Sequence, residues 1–304
     1  MKKFLNDSTP NEVERSMPPP KSWLYFWPAW INMLPAMSNI DFIQMHCPHV
    51  WTLLNQKAKS SLPTGLENFL SDDMEAQSQL RSADARISRL IAKTTKKKVA
   101  DAYKRDLSGI GTEQQVAELF CEISLVGSLA DISHAPPDLR PSTRNGKYCD
   151  AKVIICGRCV YCEVKRLADP WKGGMRSIAR SPKGSKPPDA SRPRAMDLFS
   201  KLKDVPAQLP QGTLNILFLF HPSIWNSHAN IRQALFGDAS ESGEALMVFD
   251  NGLFALDEWR EVSACLHSRI NANGTLSVVQ TWQNPNANVC LPADVLKRIK
   301  TDVS

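Results

Sequence analysis

Cys149-Asp150-Ala151-Lys152-Val153-Ile154-Ile155, then Cys156-Gly157-Arg158-Cys159, then Val160-Tyr161-Cys162-Glu163-Val164-Lys165, is the stretch that decides the fold. Two short runs rich in β-branched residues flank a glycine-containing link, which predicts an antiparallel hairpin. With Gly157-Arg158 as a two-residue turn, glycine supplies the positive φ of the first turn position. The pairing predicted from that turn sets Cys156 against Cys159, Ile154 against Tyr161, Lys152 against Glu163 and Asp150 against Lys165. Side chains alternate along a strand, so Asp150, Lys152, Glu163 and Lys165 share one face. Ala151, Val153, Ile155, Val160, Cys162 and Val164 make the other face apolar, and a slip of one residue would destroy that agreement.

The flanking sequence supplies helices and further strands. From Ser71 to Lys104 the apolar positions Leu80, Ala83, Ile87, Leu90 and Ile91 repeat near the helical period, which predicts one long helix. Gly109 and Gly111 break it, and Thr112 is placed to cap a second helix carrying Val116, Phe120 and Ile123 on one face. After the hairpin, Leu214–Phe220 is continuously apolar, as a central strand buried on both faces requires. Helices are expected over Ala195–Val205, Ser227–Phe236 and Ala293–Ile299. A second hairpin is expected around Asn251-Gly252, joining Leu246–Phe249 to Leu253–Leu256, and a strand over Thr275–Trp282. The fold class is α/β, a mixed central sheet flanked by helices, with a helical N-terminal extension. Residues 1–21, ending in Pro18-Pro19-Pro20, read as a flexible tail. Residues 22–108 form the helical region, opening with Trp23, Trp27 and Trp30, and residues 109–304 carry the sheet.

Composition narrows the class. The 304 residues are 42% hydrophobic and 22% charged, the balance of a globular protein rather than a disordered or fibrous one. No apolar run reaches the ~18 residues of a spanning helix, and Met1–Asp7 turns polar early, so a cytoplasmic protein with no membrane association is expected. Four of the eight cysteines crowd into 149–162, unlike a secreted disulfide scaffold. Reduced thiols or a local metal site fit better. In the predicted hairpin Cys149 and Cys162 face opposite to Cys156 and Cys159, so one hairpin does not readily close a tetrahedral site. His46 and His49 flank Cys47-Pro48 and read as structural or exposed.

Carboxylates on neighbouring strands lie about 4.5–5.5 Å apart, within reach of one hard cation. Mg²⁺ suits two carboxylates and retained waters, with Mn²⁺ as an alternative, and Lys165 would orient or deprotonate water or neutralise charge on a reacting phosphorus. Asp150, twelve intervening residues and Glu163-Val164-Lys165 on the second strand together resemble the PD-(D/E)xK nuclease superfamily. The resemblance covers roughly Gly109 to Phe220. It implies a restriction-endonuclease-like fold and Mg²⁺-dependent cleavage of phosphodiesters, DNA ahead of RNA. It makes Asp150, Glu163 and the Val164 carbonyl metal ligands and Lys165 the catalytic lysine. Cys149 stands where the family often has proline, and Asp138 after Pro137 ranks second for the aspartate. A glutamate from the preceding helix is implied too. Glu113, on the Val116/Phe120 face, is the choice, with Glu118 and Glu122 directed away. Gln208 and Lys201 are accessory candidates. The competing reading of the charged face is a solvated set of ion pairs, worth about 0–1 kcal/mol each. The functional alternative is a catalytically inactive nuclease-like module that binds nucleic acid or a partner protein.

Charge distribution supports a nucleic-acid partner. Between Lys165 and Lys203 eleven Lys/Arg face three Asp, an excess of eight against a whole-chain net charge of +6. Lys172, Arg176, Arg180, Lys183 and Lys186 are the expected phosphate contacts. Lys96-Lys97-Lys98 reads as a solvated helix face, and a homodimer is an open alternative for the assembly.

Overall fold

Two consecutive left-handed residues set the hairpin. Cys156 has φ +49° and Gly157 φ +72°, the signs required at both centres of a type I′ turn. The turn is therefore Cys156-Gly157, one residue earlier than the sequence reading places it. Strand β2 (Ala151–Ile155) and strand β3 (Arg158–Arg166) pair with Lys152 opposite Tyr161 and Ile155 opposite Arg158. The register thus differs from the expected one by two residues, and Lys152 does not face Glu163. Because two is the side-chain period, both faces keep their predicted membership. Burial alternates along β2 accordingly.

The structure, a computed structural model, describes residues 38–54, 61–70, 74–143, 146–167, 194–220, 228–237, 251–270 and 276–302. Strands β1 (Asp138–Leu139), β2, β3, β4 (Leu214–Phe220), β5 (Ala264–Ile270) and β6 (Leu276–Gln283) form one six-stranded sheet in that order. The β3–β4 and β4–β5 pairs are parallel and the others antiparallel. Every residue of β4 is buried, as its continuous apolar run demands. Its one polar side chain, Asn215, is fully satisfied. It donates to the carbonyls of Pro210 and Glu261 at 2.8 and 2.7 Å and accepts from the Thr213 hydroxyl at 3.0 Å.

Helices cover both faces. On one lie α1 (Asn39–His46), α2 (Pro48–Leu53), α3 (Thr64–Leu70), α4 (Met74–Lys93), α5 (Lys96–Gly109) and α6 (Glu113–Ile132), with α9 (Ala293–Asp302). Their apolar residues join Ala151, Val153, Ile155, Val160, Cys162 and Val164 in one core. The opposite face packs Leu217, Leu219, Cys265 and Trp282 against α7 (Arg194–Leu202) and α8 (His228–Phe236). Asn39–Ser304 form a single compact unit, so the helices before Gly109 share a core with the sheet. No helix among the described residues is long and apolar enough to cross a membrane.

Three element predictions change. The single helix over Ser71–Lys104 is two, because the Thr94 hydroxyl bonds back to Leu90 while Thr95 accepts from the Lys98 amide and caps a new helix. Around Asn251-Gly252 there is no second hairpin. Leu253–Ala255 is a short 3-10 turn, and a Cβ at Gly252 would lie 2.3–2.4 Å from backbone atoms of Gly237 and Leu235. This glycine permits close backbone approach at the end of α8 rather than a reversal, and Leu246–Phe249 lies outside the described residues. Asp138, which the sequence reading sets farther from a strand than Asp150, sits in β1 opposite Lys152. At the two margins, β1 is two residues long, whereas β6 runs for eight and has a partner on one side only among the described residues.

Candidate active site

Continuing the β2–β3 register one step sets Asp150 opposite Glu163, and the Asp150 amide donates to the Cys162 carbonyl at 3.1 Å. The Asp150 carboxylate crosses to β3 and accepts from the Val164 amide at 2.7 Å. On the same strand Lys165 Nζ donates to Glu163 Oε1 at 2.6 Å. Glu163 is 2% exposed, and its second oxygen, Oε2, is buried without a hydrogen-bond partner. Such an acceptor carries its full desolvation cost unless something binds it. The Lys165 side chain is 32% exposed and opens to a cavity of about 600 Å³.

Helix α6 supplies the acidic wall of that cavity, though not through Glu113. Glu113 is the first residue of α6 and does not line the cavity. Gln115, Glu118 and Glu122, at helical spacing, do. Glu122 is two and a half turns further along α6 and is 9% exposed. Reading one apolar face from Val116, Phe120 and Ile123 directs Glu122 outward, but from Leu119 onward α6 is buried on nearly every side. The direction opposite that face leads to the site, not to solvent.

Arg140 organises the neighbouring charges. Its Nε and Nη2 donate to the two Glu122 oxygens at 3.0 and 2.9 Å, Nη1 donates to Asp106, and its guanidinium lies 5.2 Å over the Tyr103 ring. Arg140 is itself left-handed (φ +49°), and its amide donates to the Asp150 carbonyl at 3.0 Å. One residue therefore ties α5, α6 and the start of β2 together. Tyr103 is fully buried with no partner for its hydroxyl. Arg140, Asp106, Glu122 and Tyr103 belong to no short motif, and their positions emerge only from the packing of α5 against α6 and β1.

Burial and the repulsion of Glu163 push the Asp150 carboxyl up to about 7. Burial and Asp150 push Glu122 up to about 7 as well, against the opposing pull of Arg140. Burial raises Glu163 too, opposed by Lys165. For Lys165, burial disfavours the ammonium, but Glu163, Asp150 and Glu122 outweigh it and the group is held above its ordinary value. The site thus crowds the carboxylates of Asp106, Glu122, Asp150 and Glu163 around the two cations Arg140 and Lys165.

Among the described residues no three His, Cys, Asp or Glu side chains converge as a ready-made metal cage. The groups that could hold a divalent ion are Asp150 and the orphaned Glu163 oxygen, with the Val164 carbonyl beside them and water completing the shell. These hard oxygen donors fit Mg²⁺ or Mn²⁺ and would exchange mutual repulsion for coordination. Asp138 is exposed and lines no part of the cavity. Gln208 ends a 3-10 turn with a buried, unpartnered Oε1, and Lys201 is exposed in the last turn of α7; neither lines the cavity. Lys172, Arg176, Arg180, Lys183 and Lys186 lie outside the described residues, as do Trp23, Trp27 and Trp30. All eight cysteines are free thiols, and burial pushes Cys149 up to about 12 and Cys162 well above its ordinary value. No protein-family model, curated protein or solved structure matches this chain, so the chemistry of the site is read from its own side chains.

Proposed function

We propose that the protein is a Mg²⁺- or Mn²⁺-dependent nuclease with a restriction-endonuclease-like core, hydrolysing phosphodiesters of DNA in preference to RNA. The observation that carries this reading is the unpartnered, buried Glu163 oxygen, set behind Asp150 and Lys165, which themselves line the cavity. When bound, the cation supplies Lewis-acid polarisation of a phosphoryl oxygen and a more acidic water. Asp150 and Glu163 hold it through oxygen donors. Lys165, kept as an ammonium by the carboxylates around it, stabilises charge growing on the phosphorus. That charged state favours stabilisation over the alternative of Lys165 acting as the base. Arg140 fixes Glu122 and the Asp150 backbone, so the carboxylates are placed before substrate arrives. Water adds to phosphorus and one P–O ester bond breaks, leaving a phosphomonoester and a hydroxyl.

Plasmid and single-stranded DNA incubated with Mg²⁺ or with EDTA test this reading. Wild type cleaves only with Mg²⁺, while Glu163→Gln and Lys165→Ala lose at least about 10²-fold in rate, the scale of one electrostatic group. Equal cleavage by all three proteins would refute the assignment. A second reading, a nucleic-acid-binding module without turnover, is favoured by one observation: Glu122 is already committed to Arg140. Salt-sensitive binding with no metal-dependent cleavage would select it.

A further inference from the structure

The cavity beside Asp150 does not end at the sheet. A second depression of about 550 Å³, lined by Ala100, Asp101, Lys104, Arg105, Ser108 and Gly109, shares Arg105 and Gly109 with it. A groove therefore runs from the carboxylates onto the outer face of α5. Helical spacing carries it further, since Lys97 precedes Asp101 and Lys104 by four and seven residues and Lys98 precedes Arg105 by seven. All four cations are exposed. Among the described residues Lys97, Lys98 and Lys104 enter no ion pair, and Arg105 meets only Asp106, at 3.7 Å. Asp101 is the single acid on this stretch of the groove.

The placement of the lysines is locally unfavourable. The first turn of α5 holds Lys96, Lys97 and Lys98 and no acidic residue, although the partial positive charge at a helix N-terminus favours acids there and opposes cations. Charge kept against a local preference points to a use elsewhere. We propose that Lys97, Lys98, Lys104 and Arg105 form a track along which the sugar–phosphate backbone of a nucleic acid leads into the Asp150–Glu163 cavity. From Lys97 to Arg105 the helix rises about 12 Å, room for three to four nucleotide steps of about 3.4 Å. The destination of the track rests on the nuclease reading; its affinity for backbone phosphates does not.

The test measures binding apart from turnover. Fluorescence anisotropy of labelled single-stranded and duplex DNA is followed with the full chain in EDTA, from about 50 to 200 mM salt. Lys97→Ala/Lys98→Ala/Lys104→Ala weakens binding about ten-fold or more and lowers the salt slope by about 2–3, as loss of three phosphate contacts requires. Lys97→Arg/Lys98→Arg/Lys104→Arg retains the affinity. Lys97→Glu/Lys98→Glu binds more weakly still, yet melts no lower than wild type, because acids suit the first turn. Lys297→Ala/Arg298→Ala/Lys300→Ala on α9, with the same change in net charge and at residues that line neither depression, shifts Kd by less than about two-fold. Equal losses in the α5 and α9 triples, an unchanged salt slope, or no binding by wild type would overturn the track. Metal-dependent cleavage by wild type with unaltered binding by the α5 triple removes the track alone. Binding through α5 by a protein that never cleaves removes the nuclease reading alone.

Discussion

Asp150 and Glu122 carry the clearest electrostatic tension in the molecule. Burial and facing carboxylates raise both to about 7 from ordinary values of 3.8 and 4.5. Between those limits the native state binds protons that the unfolded chain has released, so the free energy of unfolding falls as pH rises through the window. Metal-free protein should therefore melt at a higher temperature at about pH 5.5 than at about pH 8. Asp150→Asn should raise the midpoint at the higher pH by several degrees and flatten the profile. A wild-type midpoint that climbs across this interval in EDTA would contradict the assignment. Arg140 is the counterpart. Its removal leaves Glu122 and Asp106 without their cation, so Arg140→Ala should cost about 3 kcal/mol or more in urea unfolding. Arg140→Lys should recover only part of that loss, since an ammonium cannot form the forked pair with Glu122. An unchanged unfolding midpoint in Arg140→Ala would show that the cluster contributes nothing net.

Elements differ in how far the chain announces them. The hairpin was legible because period-two alternation and a turn glycine agree, and a two-residue error in register left the faces untouched. The error itself came from Cys156, since a non-glycine residue at positive φ leaves no compositional trace. Cys156→Asn, which tolerates that conformation better, should stabilise the protein by roughly 0.5 kcal/mol, and Gly157→Val should destabilise it by about 1 kcal/mol or more. The reverse order in chemical denaturation would refute the turn assignment. Helix α6 was legible as a helix through Thr112 as its cap and the spacing of Val116, Phe120 and Ile123, but its acidic face was not. A helix buried on most sides has no single apolar stripe from which to read direction. The Asn251-Gly252 pair shows the same limit, because a glycine required for close approach looks like one required for a turn. Gly252→Ala would drive a methyl group into the backbone of Gly237 and Leu235. The expected result is a severely destabilised or insoluble protein, checked by soluble yield and thermal melting.

For the whole molecule, the α/β class with a mixed sheet was readable, whereas strand β5 and the placement of charge were not. Sheet, flanking helices and central strand follow from local pattern, whereas the meeting of Asp106, Glu122 and Arg140 depends on contacts between residues up to 34 apart in sequence. A resident cation should act on the entire folded unit by mass action. Thermal melts in Mg²⁺ should run several degrees above those in EDTA for wild type and show no shift for Glu163→Gln. Equal shifts in both proteins would place the ion elsewhere. Finally, the sheet has unequal margins. With two residues, β1 is too short to template an incoming chain. By contrast, Leu276–Gln283 is eight residues long and, among the described residues, pairs with β5 alone, with no charge, no proline and an outward-facing Val279. Protein chains that meet along such a border tend to stack into fibrils unless a gatekeeper side chain intervenes. A lysine introduced at Val279 is thus the simplest means of keeping concentrated samples dispersed, and light scattering would register the change.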